Sequence, residues 1–77
     1  MTEDELATAS ERVAMALVAA ASRGLTFMQV HRQVGTHRYA DTKRVLDQLL
    51  LSGAAEHLGT GLGYRVGSRS YLPGFDA

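Results

Sequence analysis

Leu25-Thr26-Phe27-Met28-Gln29-Val30-His31-Arg32-Gln33-Val34-Gly35 is the stretch that decides the fold. Thr26 followed three residues later by Gln29 is a capping box, in which each side chain satisfies a backbone N–H left free at a helix start. Leu25 before the cap and Val30 in the first turn form a hydrophobic staple across it. Phe27, Val30 and Val34 fall on one helical face, and Gly35 stops the helix after little more than two turns. A short helix of this kind, closed by glycine, is the second helix of a helix-turn-helix.

Downstream, Thr36-His37-Arg38-Tyr39 leads into a third helix that turns Val45, Leu46, Leu49 and Leu50 inward and ends at Ser52-Gly53. Leu49, Leu50 and Leu51 cannot all face one core, because neighbouring helical positions differ by about 100°. One of the three therefore lies near the surface. Beyond them, Ala54 to Leu58 and Gly63 to Val66 are short segments on either side of Gly59-Thr60-Gly61-Leu62, a loop whose glycines allow the backbone angles of a hairpin tip.

Upstream, Thr2-x-x-Glu5 and Thr8-x-x-Glu11 each match a capping box, so the first helix starts at residue 3 or 9 and runs to about 22. Val13, Ala16, Leu17 and Ala20 recur at helical spacing, Leu6 extends the same face, and Gly24 is the expected stop. The order is helix, short helix, turn, longer helix, hairpin. That is a mainly α, α+β winged helix-turn-helix, three helices followed by a two-stranded wing. Its expected core is Val13, Leu17, Phe27, Val30, Val45, Leu46 and Leu49, within a domain spanning 11–67 between an acidic segment at 1–10 and a tail at 68–77.

A chain of 77 residues is one domain near the lower size limit for a self-supporting core. With no cysteine, neither a disulfide nor a thiolate metal site supplements that core. Val13 to Ala21, the longest apolar run, falls far short of the roughly 20 residues that cross a bilayer. Glu3, Asp4 and Glu5 stand where a secretory signal carries bases. A cytoplasmic protein with no membrane association is the expectation.

Formal net charge is zero, but the signs are segregated. Four acids, Glu3, Asp4, Glu5 and Glu11, precede the first base, and from Arg12 onward eight bases stand against Asp41, Asp47, Glu56 and Asp76. Arg32, Arg38, Lys43 and Arg44 concentrate around the second and third helices with Asp41 among them. A local basic cluster on one element is suited to phosphates even in a neutral chain. The plain alternative is a solvated helix face with Lys43 or Arg44 paired to Asp41 or Asp47.

Four motifs in order carry a family likeness: Glu11-Arg12-Val13, Gly24 to Val30, Lys43-Arg44-Val45-Leu46-x-x-Leu49 through Gly53, and Tyr64-Arg65-Val66-Gly67. Together they resemble the N-terminal DNA-binding domain of IclR-type transcriptional regulators. The resemblance implies that the third helix enters the major groove of double-stranded DNA and that the wing touches the backbone. It puts DNA contacts on Arg38, Tyr39, Thr42, Lys43 and Arg44 and on Thr60 and Arg65 of the wing; apart from the resemblance, Arg32 of the second helix is expected to reach phosphate. The chain departs from the pattern in one extra residue after Gly35, one in the wing, Thr42 where a small apolar residue is usual, and Leu62 where a base would serve phosphate better. The small-molecule effector domain of that family is not expected here, which leaves the third helix open to a protein partner instead.

No catalytic residue is expected. The serines stand alone, and Gly59 to Gly63 lacks the Lys-Ser/Thr and helix of a phosphate loop. His31 and His37 are six apart without cysteine or paired carboxylate, so no metal or other cofactor is expected, and His31 is read as packing its ring against the third helix. Leu58, Leu62, Tyr71, Leu72 and Phe75 either close a homodimer or fold over the leucines of the same chain. The leading expectation is a non-enzymatic, sequence-specific DNA-binding regulator; the rival is a winged-helix module that binds protein.

Overall fold

The computed structural model describes residues 1–36, 38–59 and 63–67. Helix α1, Glu3–Ala20, starts at the earlier of its two candidate caps: the Thr2 hydroxyl accepts the Glu5 N–H at 3.1 Å, and the Thr2 N–H donates to the Glu5 carboxylate at 2.8 Å. Residues 3–10 are thus continuous with the helix that carries Val13 and Leu17, and Ala9 and Ser10 are already buried. The helix ends two residues before the expected position. Ala21 takes a φ of 55°, which breaks the helical run and opens a single 3₁₀ turn, Ala21–Arg23.

Helix α2, Phe27–Val34, has the expected capping box, with the Gln29 N–H donating to the Thr26 hydroxyl at 3.2 Å and the Thr26 N–H to the Gln29 side chain at 2.8 Å. Gly35 closes it in the left-handed region at φ 75°, where a side chain would be strained. Thr36 organises the following turn, accepting the Arg38 N–H and donating to the Asp41 carboxylate, each at 3.1 Å. Helix α3, Tyr39–Ser52, then runs to Gly53.

The chain returns as an antiparallel hairpin of β1, Ala55–His57, and β2, Tyr64–Val66, with Glu56 opposite Arg65 and His57 opposite Tyr64. Leu25 adds a bridge to Tyr64 on the far side of β2, which anchors the hairpin to the entry of α2. The layout is the winged-helix one, three helices followed by a two-stranded antiparallel wing. Thr60, Leu62 and the tail from 68 lie outside the described residues.

Val13, Leu17, Val30, Val45, Leu46 and Leu49 are buried at the meeting of the three helices, and Ala54 and Ala55 continue that core into the hairpin. Phe27 is only half-buried, at its edge, with Leu6, Leu25, Leu50, Tyr64 and Val66. Of the three consecutive leucines, Leu51 is the one left outside, 89% exposed. No helix among the described residues is long and apolar enough to cross a membrane.

Candidate nucleic-acid interface

The start of α3 is held by side chains from α2. His31, half-buried, shares a 2.6 Å hydrogen bond with Thr42 through Nδ1 and Oγ1. Its ring lies 4.6 Å from that of Tyr39, while Phe27 sits 6.4 Å from His31 in parallel and 5.9 Å from Tyr39. Such separations are those of mutually attractive aromatic groups. The His31–α3 packing expected from sequence is therefore present, and it includes the aromatic pair with Tyr39.

This arrangement corrects one residue of the expected interface. Thr42 is fully buried and spends its hydroxyl on His31, so it supports α3 from inside and is closed to any outside partner. The physical reason is phase: Thr42 lies three residues before Val45 and four before Leu46, on the same face as both.

Arg32 on α2 and Arg38, Tyr39 and Lys43 at the start of α3 are exposed. None of the three basic side chains makes an ion pair or side-chain hydrogen bond among the described residues. Lys43 follows Tyr39 by one turn and shares its side of the helix. Arg44 is exposed as well, but its guanidinium donates to the Met1 carbonyl at 3.2 Å and leans toward α1. Arg38 also borders a groove between α1 and α3 whose rim carries Asp4, Glu5, Asp41 and Arg12. Basic and acidic groups thus alternate on that side, and the uncompensated charge is on the side of Arg32 and Lys43.

Arg65 differs from the rest. It faces Glu56 across the hairpin and forms an ion pair with it, the only one among the described residues. The described part of the wing therefore presents no free positive charge, and Thr60, its other expected contact, lies outside the described residues. Both partners are about half exposed, a setting in which an ion pair contributes little to stability.

Arg12 carries a role that sequence reasoning missed. Its guanidinium donates to the Gln33 carbonyl at 3.3 Å, placing positive charge at the C-terminal end of α2, where the helix dipole favours it. The contact joins residues far apart in the chain, and nothing local in the sequence marks it. The Phe27–His31 pair was legible as an i, i+4 spacing; its junction with Tyr39 depends on how α2 and α3 cross.

The cap of α1 also perturbs the Glu5 carboxyl. The Thr2 N–H, and then the Thr2 hydroxyl, hold its carboxyl below the usual carboxylate range. Among the described residues, no three histidine or carboxylate side chains gather in a way that would hold a metal ion.

No protein-family model, curated protein or solved structure matches this chain.

Proposed function

We propose that this chain is a small non-enzymatic DNA-binding protein, a transcriptional regulator that seats the start of α3 in the major groove of double-stranded DNA. The observation that carries the reading is the set of exposed bases Arg32, Arg38 and Lys43, without a side-chain partner among the described residues, on the two helices that carry the exposed ring of Tyr39, in a helix-turn-helix closed at Gly35. In this docking mode the first residues of the second helix of the motif reach base edges, and cations on both helices settle on phosphates. Arginine bonds guanine at two points, and lysine serves as a point charge. The resemblance to the N-terminal domain of IclR-type regulators agrees with these roles. Occupancy of an operator is the mechanism, in the cytoplasm, and a homodimer would set two α3 helices on half-sites about 34 Å apart.

The Glu56–Arg65 pair favours a second reading, a winged-helix module that docks on protein, because it removes the described wing's own cation from phosphate binding. Fluorescence anisotropy of random and genomic duplexes, with salt varied, separates the two. DNA binding predicts an affinity that falls steeply as salt rises. No binding at about 50 mM salt, where phosphate contacts are strong, moves the assignment to the protein module.

A further inference from the structure

Tyr39 is the first residue of α3 and is 55% exposed, yet its ring is not loose. It rests on His31 at 4.6 Å and on Phe27 at 5.9 Å, and His31 is itself fixed from below by the 2.6 Å hydrogen bond to buried Thr42. An exposed aromatic ring propped by two others and a buried hydroxyl keeps one orientation at little entropic cost on binding. Beside it Ala40, also exposed, adds a methyl group to the same turn. The first turn of α3 therefore carries a preorganised apolar surface between Arg38 and Lys43. In the major groove the apolar feature of a base edge is the C5-methyl of thymine.

Resting on the DNA-binding reading above, we infer that Tyr39 is a specificity-determining residue of this interface, that it selects a thymine by packing on its methyl group, and that His31 is the positioning residue that aims it. Arg38 on a neighbouring base edge and Lys43 on phosphate then flank it, and the hydroxyl of Tyr39 is dispensable. The chemistry names the class of site, a duplex with a thymine under the start of α3, without naming the rest of the operator.

The test begins with duplexes selected from a random pool by the intact chain. Each thymine of the selected site is replaced in turn by deoxyuridine, which removes the methyl alone. At one position the wild type should lose about fourfold in affinity, the worth of one buried methyl. Tyr39→Phe should keep that discrimination, and Tyr39→Ala should abolish it, binding the thymine and deoxyuridine duplexes alike. His31→Ala should lose it too. His31→Phe should retain it despite a lower melting temperature, since it keeps a ring beneath Tyr39 but strands the Thr42 hydroxyl; a merely structural role for His31 would predict that melting temperature and discrimination fall together. Indifference to deoxyuridine everywhere, or full discrimination by Tyr39→Ala, overturns this inference while leaving DNA binding in place. Failure to bind any duplex at low salt overturns the DNA-binding reading, and this inference with it.

Discussion

Leu25 and Tyr64 exchange two backbone hydrogen bonds, the Leu25 N–H donating to the Tyr64 carbonyl at 2.6 Å and the Tyr64 N–H to the Leu25 carbonyl at 2.7 Å. Through this pair the wing is fastened to the residue just before α2. The approach is possible only because both neighbours are glycine. A Cβ on Gly24 would overlap the Tyr64 carbonyl, and one on Gly63 would overlap the Leu25 carbonyl.

Gly24→Ala and Gly63→Ala should therefore destabilise the domain by at least about 2 kcal/mol, since the strain of a left-handed alanine adds to a clash with backbone. Gly35 is the comparison. It has the same sign of φ, but the nearest atom that a Cβ there would meet is on the Arg12 guanidinium, 3.8 Å away. Gly35→Ala should cost only the conformational share, about 1 kcal/mol. Urea denaturation of the three variants checks the order; a Gly24→Ala loss no larger than that of Gly35→Ala would count against the close approach.

Two buried hydroxyls should respond in opposite ways. Ser10 is fully buried in α1, and its hydroxyl has no partner among the described residues. Ser10→Ala removes an unsatisfied polar group and improves helix propensity, so it should leave stability unchanged or raise it by about 0.5–1 kcal/mol. Thr42→Val is nearly isosteric but deprives His31 of its bond, and should cost about 1–2 kcal/mol. Thermal melts of both variants give the comparison.

Acid should loosen the two ends of the helical scaffold differently. The Glu5 carboxyl titrates below its usual value of about 4.3, so its contribution is fully present above that value and is lost as pH falls through the lowered one. Glu5→Gln keeps a residue able to complete the capping box and removes the titration. The stability difference between wild type and Glu5→Gln should then be flat near neutrality and change only in acid. The box at Thr26 already uses Gln29, and Gln29→Glu should bring to α2 the acid sensitivity that α1 has. Helicity followed by circular dichroism through an acid titration reports both.

The helix starts and stops were legible because they depend on neighbours in the chain: Thr26 with Gln29, Gly35 and Gly53. The burial of Thr42 was also legible, in its spacing from Val45 and Leu46, although a position expected to meet DNA by resemblance to a family pointed the other way. Arg12 on Gln33, Leu25 on Tyr64 and Arg65 on Glu56 were not. Each joins elements whose relative placement follows from packing and, for the hairpin, from a register that a glycine-rich loop does not specify. The same limit applies to the candidate site. Its bases could be counted from the sequence, but which of them stay unpaired depended on those three-dimensional neighbours.

That distinction gives the last prediction, which uses charge to separate the two halves of the interface. Lys43 is exposed and has no partner among the described residues, so on a phosphate it releases counterions when it binds. Lys43→Ala should weaken all duplexes alike and flatten the plot of log affinity against log salt by about one unit. Arg38→Ala should lose about 1–3 kcal/mol on the preferred site and much less elsewhere, as expected of a base contact. Arg65→Ala leaves the Glu56 carboxylate uncompensated, and should weaken binding to every duplex modestly if the wing lies against the backbone. The informative variant is Glu56→Gln: it frees Arg65 without adding a cation, and should tighten binding to every duplex and steepen the salt dependence if the wing lies against the backbone. Arg12→Ala is unsuitable as a neutral control, since losing the Gln33 contact should lower the melting temperature. Anisotropy titrations across a salt series measure all four charge variants. A wing that leaves the DNA untouched would make Glu56→Gln indistinguishable from wild type, and an unchanged salt slope in Lys43→Ala would take α3 away from the phosphates.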